Sequence, residues 1–334
     1  MCIRDRPKPR AGLAKQSGRD EVLIPAYACF SIPASAVAAG LRVRLVDVTP
    51  TGRVDPDCLA SLPLERAAAI VVANLFGVPE PVRALRECCA RAGVALIDDA
   101  AQSLGARAQE GPVGARGDLG ILSFGRGKPL GALGGGAIVW PAEPTLSSPP
   151  ARPRRAKALA KALAYDAALQ PAVFGLLAAI PALHIGETPF EPGFARGAID
   201  GASLCLAAVA ARDLEEQARE RARRADALAA GIEAGSAFRS LRADPGSTAV
   251  YPRLAVVAPS AQARDRALAA LRDLGASGMY PSSLDGVPAL RPHLAGEPAC
   301  VTARELAARL LTLPTHREIA DVQRERLLAV LASA

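Results

Sequence analysis

Lys128 is the side chain in this sequence best placed to do covalent chemistry. It lies in Ser123-Phe124-Gly125-Arg126-Gly127-Lys128, where the apolar run Ile121-Leu122-Ser123-Phe124 gives way to a glycine-rich loop. Upstream, the apolar run Val94-Ala95-Leu96-Ile97 ends in the carboxylates Asp98 and Asp99, followed by Ala100-Ala101-Gln102. A lysine amine can capture an aldehyde as an imine, and a carboxylate can keep a pyridine nitrogen protonated. One cofactor brings an aldehyde, a ring nitrogen and a phosphate into the same crevice, namely pyridoxal 5'-phosphate.

A lysine near a strand end is ordinarily a solvated surface group. Three features set Lys128 apart. Only five of the 40 Lys and Arg residues are lysine, so its placement is selective. It follows an apolar run within a few residues, and Gly125, Gly127, Gly131, Gly134, Gly135 and Gly136 let backbone approach a ligand closely. Alternation along a strand puts Asp98 and Asp99 on opposite faces, so one faces the crevice while the other can cap a helix expected from Ala100. Gln102, a turn beyond Asp99, could donate to a ring hydroxyl or stand exposed. Ser123 could bind phosphate or be satisfied by its own backbone.

These residues need a frame that brings strand ends together. Short apolar runs without polar alternation recur at 22–24, 43–46, 69–73, 94–97, 121–124 and 137–139, with helical patterns such as 81–91 between them. That pattern predicts an α/β layered domain whose mainly parallel sheet is covered on both faces. Ligands in such sheets sit beyond the carboxyl ends of the strands, where Asp99, Ser123 and Lys128 all fall. The stretch 201–230 reads as one long helix, apolar first and charged later. The remainder alternates again, at 250–257, 264–274, 279–281, 303–310 and 319–331, as a small α+β domain. The division expected is 21–200 for the large domain and 201–334 for the long helix and small domain. A Pro- and Arg-rich linker at 147–155 opens an extra segment, 147–185, whose apolar stretch is broken by Pro171 and Pro181. It reads as a core or dimer-contact helix pair, with an interfacial membrane helix as the alternative.

Composition narrows the classes further. Half of the 334 residues are hydrophobic, enough for a substantial core, and aromatics are only 4%. The net charge of +7 comes from arginines interleaved with acids, as in 213–220, which reads as solvated helix faces rather than a nucleic-acid groove. The seven cysteines form no C-x-x-C pair, so neither a metal site nor a secreted disulfide framework is expected, and the chain reads as cytoplasmic. No G-x-G-x-x-G follows the first strand, which argues against a dinucleotide enzyme. The opening Met1-Cys2-Ile3-Arg4-Asp5-Arg6 has no apolar leader and resembles translated adapter sequence. Residues 1–20 are therefore expected to be foreign or to replace a lost natural start.

Taken together, these segments resemble the DegT/DnrJ/EryC1/StrS family of pyridoxal-phosphate sugar aminotransferases. The most specific part is Asp99-Ala100-Ala101-Gln102 followed by Ser123-Phe124-Gly125-Arg126-Gly127-Lys128. Glu21-Val22-Leu23-Ile24-Pro25-Ala26-Tyr27, Asn74-Leu75-Phe76-Gly77-Val78-Pro79 and Leu311-Thr312-Leu313-Pro314-Thr315-His316 add to it. The resemblance implies the aspartate-aminotransferase-like fold (type I of the pyridoxal-phosphate enzymes) and a homodimer. It implies Lys128 as the imine lysine, Asp99 as the ring-nitrogen partner, Gln102 as a ring contact and Ser123 as a phosphate ligand. It puts the ring-stacking position at Cys29 or Phe30. The activity implied is amine transfer from an amino acid, glutamate, to a keto-sugar nucleotide in surface polysaccharide or amino-sugar biosynthesis. A binding or scaffold protein of the same fold, without turnover, is the alternative. The sequence departs from the family where a Gly/Ser/Thr phosphate-binding turn is expected before Gly18, and where a histidine is expected after Tyr280-Pro281.

Overall fold

The structure is a computed structural model that describes residues 18–125, 127–132, 134–140, 160, 163, 189–193, 197, 199 and 201–334. Most of the extra segment 147–185, and with it the membrane-helix alternative, lies outside the described residues. So does the segment 1–17.

A six-stranded sheet is built from β1 (Glu21–Pro25), β2 (Arg42–Val46), β3 (Ala67–Ala73), β4 (Ala95–Asp99), β5 (Leu119–Ser123) and β6 (Gly136–Val139). Its order is β2-β1-β3-β4-β5-β6, parallel throughout except for the antiparallel edge strand β6. Helices α1 (Ser31–Ala38), α2 (Pro56–Ser61) and α3 (Arg83–Ala92) make the crossovers. Local chemistry sets their ends. The Asp55 carboxylate accepts from the amides of Asp57 and Cys58 to start α2. Gly93, at φ +64°, ends α3 in the left-handed conformation that glycine adopts at no steric cost.

One face of the sheet packs on Leu85 and Cys89 of α3 through Leu23, Ile70, Val72 and Leu96. The other face carries the largest core, where Ile24, Tyr27, Val71 and Ile97 meet Tyr280, Leu284, Leu290 and Leu310 from the C-terminal part of the chain. That part is the expected α+β unit. It comprises α4 (Gly201–Ala210), α5 (Leu214–Gly235), α6 (Ala261–Leu271), α7 (Val301–Arg309) and α8 (Asp321–Ser333) around a small antiparallel sheet. The strands of that sheet are β7 (Arg239–Ser240), β8 (Arg253–Val257) and β9 (Leu310–Pro314), in the order β9-β8-β7.

Three local expectations are corrected. The long helix predicted over 201–230 is two helices joined by a 3-10 turn at Ala211–Asp213. Residues 101–105 form turns, not a helix, because the Asp99 carboxylate takes the Ala101 amide and the following chain closes on itself from Ser103 to Ala100. Residues 279–281 are not a strand. Met279 has φ +49°, which no extended strand accommodates.

Candidate active site

Beyond the carboxyl ends of β3 and β4 lies a pocket, partly open to solvent, with about 270 Å³ of empty space. It is lined by Cys29, Ser31, Ile32, Ala73, Asn74, Leu75, Asp99, Ala101, Gln102 and Lys128. Four of the six residues singled out in the sequence therefore share one wall-to-wall space: Lys128, Asp99, Gln102 and Cys29.

Lys128 is half-buried in the loop after β5. That loop is folded back by Lys128 N–H donating to the Gly125 carbonyl (3.3 Å) and Ala132 N–H donating to the Phe124 carbonyl (2.9 Å). Asp99 is the last residue of β4 and only 5% exposed. Its Oδ1 accepts from the Ala101 amide at 2.9 Å. The opposite faces expected of Asp98 and Asp99 are realised. Asp98 points away from the pocket and pairs with the buried Arg116 guanidinium at 2.8 Å.

Gln102 is held at both ends of its amide. Oε1 accepts from the Phe76 N–H at 2.8 Å and Nε2 donates to the Tyr280 hydroxyl at 2.5 Å. The Tyr280 ring is stacked at an angle on Phe30 and Phe76, each 6.4 Å away, and meets Tyr27 edge-on at 5.9 Å. Tyr280 thus brings the C-terminal unit to the rim of the pocket. From the sequence, Tyr280-Pro281 is a short extended segment and the place where a histidine is absent, not a site contact. The one local signal for its contact is a lone aromatic ahead of a proline in a chain poor in aromatics.

The remaining two predicted residues stand behind the pocket wall. Phe30 is packed on Tyr280 and is not among the lining residues. Ser123 is buried at the end of β5, where its hydroxyl accepts from the Gly125 amide at 3.4 Å; it also lies outside the lining. Cys29 lies close to the start of α1, its Sγ 2.9 Å from the Ser31 hydroxyl.

The donor set fits pyridoxal phosphate. An amine and a carboxylate line one space with apolar walls from Ile32, Ala73, Leu75 and Ala101, which suit a flat ring. A second cavity of about 390 Å³ adjoins the first and shares Ala73 and Leu75 with it. On its wall is Glu80, whose Oε1 accepts from the Val54 amide at 2.7 Å. Burial pushes the Glu80 carboxyl up to about 7, against the opposing pull of that amide and of Arg53 and Arg116. Among the described residues no cluster of three His, Cys, Asp or Glu side chains is arranged to hold a metal. No described helix is long and apolar enough to cross a membrane.

This is the type I fold of the pyridoxal-phosphate enzymes. A crystal structure of a DegT DnrJ EryC1 StrS aminotransferase from Brucella abortus superposes with a TM-score of 0.73 at 18% identity, over 96% of this chain and 82% of that one. Residues 11–147 match the model of the DegT/DnrJ/EryC1/StrS aminotransferase family. The chain is similar to the erythromycin biosynthesis sensory transduction protein EryC1 of Saccharopolyspora erythraea, at 36% identity over 131 residues, 38% of this chain and 35% of the relative. It is also similar to the dTDP-3-amino-3,4,6-trideoxy-alpha-D-glucose transaminase of Streptomyces venezuelae, at 31% over 136 residues, 38% of this chain and 34% of that protein. The match thus spans about a third of the length of these curated relatives.

Proposed function

We propose that this chain is a pyridoxal-phosphate-dependent aminotransferase that moves an amino group from an amino acid, glutamate, to a keto-sugar nucleotide. The observation that carries this reading is that Asp99 and Lys128 line one pocket at the ends of neighbouring strands. The nucleotide-sugar acceptor is supported by the name of the Streptomyces venezuelae relative, a dTDP-amino-sugar transaminase.

When bound, pyridoxal phosphate supplies an electron sink for the carbon that carries the amine. Lys128 would hold the cofactor's aldehyde end through Nζ, and its free amine would carry the proton that has to move between carbons. Asp99 holds the proton on the ring nitrogen. Gln102, fixed by Phe76 and Tyr280, would contact the ring, Cys29 or Phe30 would stack on it, and Ser123 would turn from the Gly125 amide to help hold the phosphate. The apolar walls keep bulk water from the proton in transit.

The same reading divides the chain into a cofactor-binding part, 21–200, and a C-terminal part, 201–334, and places the reaction in the cytoplasm. It also makes the enzyme a homodimer. The exposure of Leu204 (48%), Leu206 (39%) and Val209 (58%) on α4 supports such a partner surface.

Borohydride reduction of the protein with pyridoxal phosphate is expected to fix the label on Lys128, located by peptide mass analysis. Lys128→Ala is expected to lose both the label and the glutamate-driven half-reaction while keeping its circular dichroism. A label on another residue would falsify the assignment. Cofactor capture without amine transfer to any keto-sugar nucleotide would favour the non-catalytic alternative.

A further inference from the structure

Beside the pocket, centred on Asp98, lies a buried polar cluster that the reaction above does not use and of which Asn74 alone reaches the pocket lining. Arg116 is 2% exposed, Asn74 2% and Asp98 0%. The Asp98 carboxylate takes Arg116 Nε at 3.0 Å and Nη2 at 2.8 Å, Asn74 Nδ2 at 2.8 Å and the Gly114 amide at 2.7 Å. Arg116 Nη2 also donates to Asn74 Oδ1 at 2.7 Å, and Nη1 to the Glu80 carbonyl at 2.7 Å. All three guanidinium nitrogens are thus spent on one site.

The bonds converge on a single peptide. Asn74 Nδ2 donates to the Asp99 carbonyl at 3.0 Å, and the Asn74 amide donates to the same oxygen at 3.2 Å. The loop that carries Arg116 also runs backbone against backbone along β4. A Cβ at Gly117 would come within 2.5 Å of the Leu96 carbonyl and 3.2 Å of the Asp98 amide. Movement of Arg116 is therefore passed to the end of β4 and not absorbed by solvent.

For stability alone this arrangement is a poor choice. Burying an ion pair costs desolvation that apolar side chains of the same volume avoid. What a fully bonded polar cluster adds is a single geometry. Reactive groups need their supporting residues held to a fraction of an ångström. We infer that Arg116 and Asn74 are positioning residues for Asp99: together with Asp98 they clamp its peptide from behind, so that its carboxylate enters the pocket in one orientation. The inference rests on the reading that Asp99 faces the cofactor's ring nitrogen.

The test compares the parent protein with two variants, the double substitution Asp98→Leu with Arg116→Met, and the single substitution Asn74→Ala. The double variant removes both charges together, so neither is left buried alone. Pyridoxal phosphate itself is the probe. The readouts are the melting temperature without cofactor, the cofactor dissociation constant, and the pH midpoint of the visible absorbance. Both variants are expected to remain folded. Each is expected to bind the cofactor at least about tenfold more weakly, as loss of an outer partner of a ligating group does. The absorbance midpoint is expected to move by roughly one pH unit. A folded variant of either kind with the parent's affinity and midpoint overturns the inference. If the double variant does not fold, Asn74→Ala decides, since it keeps the Asp98–Arg116 ion pair while removing the side-chain bonds of Asn74 to Asp98, Arg116, the Glu80 amide and the Asp99 carbonyl. A parent with no visible band on adding pyridoxal phosphate would instead sink the functional reading.

Discussion

At the scale of single residues, the two adjacent carboxylates of β4 have separate tasks because a strand alternates its faces. Asp98 is consumed by Arg116 inside the protein, and Asp99 is delivered to the pocket. Asp99→Asn keeps the shape and the contact with the Ala101 amide but cannot hold a ring proton. It is expected to slow the glutamate half-reaction by roughly a hundredfold or more, measured by stopped-flow absorbance. Glu80 gives a second prediction. Its carboxyl is raised to about 7 when folded, against an ordinary 4.5 when unfolded. The folded state therefore binds the proton more tightly. Stability from this group is complete below about pH 4.5 and is lost as pH rises toward 7, then stays level. Arg53, Arg116 and Asp98 are the charged groups around it. Glu80→Gln retains an acceptor for Val54 and is expected to flatten the decline in melting temperature between pH 5 and 7. At pH 8 it is expected to gain stability on the order of 2–3 kcal/mol.

At the scale of elements, the large sheet was legible in the sequence because its strands are apolar on both faces. All six runs, from 22–24 to 137–139, fall on strands, with only Val94 and Phe124 just outside them. The cluster of Lys128, Asp99 and Gln102 was legible for the same reason, since a strand end fixes where the next side chain goes. Arg116 and Asn74 were not legible as site residues, because an arginine in a turn looks solvated until the strand it folds against is known. Tyr280 was missed because its contact with Gln102 is made across the whole chain. Two element junctions give further predictions. The carboxylate of Asp47, just after β2, accepts from the Thr302 and Ala303 amides and caps α7 from outside its own helix. Asp47→Ala is expected to cost about 1 kcal/mol in urea unfolding, as loss of a cap does. Gly77 has φ +81°, and a Cβ there would lie 2.5 Å from Pro252 Cδ and 2.6 Å from the Tyr251 amide nitrogen. Gly77→Ala combines a backbone penalty with a clash against β8's approach. It is expected to lower stability by roughly 2 kcal/mol or more and to weaken cofactor binding.

At the scale of the whole molecule, each sheet has a core of its own, around Leu254, Val256, Leu311 and Leu313 for the small one and around Leu23, Ile70, Val72 and Leu96 for the large one, and the two share a third. Tyr27, Phe76 and Ile97 from the large sheet's side pack in one cluster with Tyr280, Leu284, Cys300 and Leu310. Backbone bonds cross the same junction, from Val250 N–H to the Gly77 carbonyl (3.0 Å), from Leu284 N–H to the Ala26 carbonyl (2.7 Å) and from Ala295 N–H to the Val43 carbonyl (2.8 Å). A shared core is expected to unfold as one unit. Fluorescence of Trp140 and far-UV circular dichroism should give coincident denaturant transitions; two separated midpoints would contradict this.

The bond between Gln102 and Tyr280 joins residues 178 positions apart in the chain. During synthesis on the ribosome, the amine and acid of the pocket emerge long before the phenol that braces their neighbour. A nascent chain that stops short of Tyr280 has the reactive groups but not the finished rim around them.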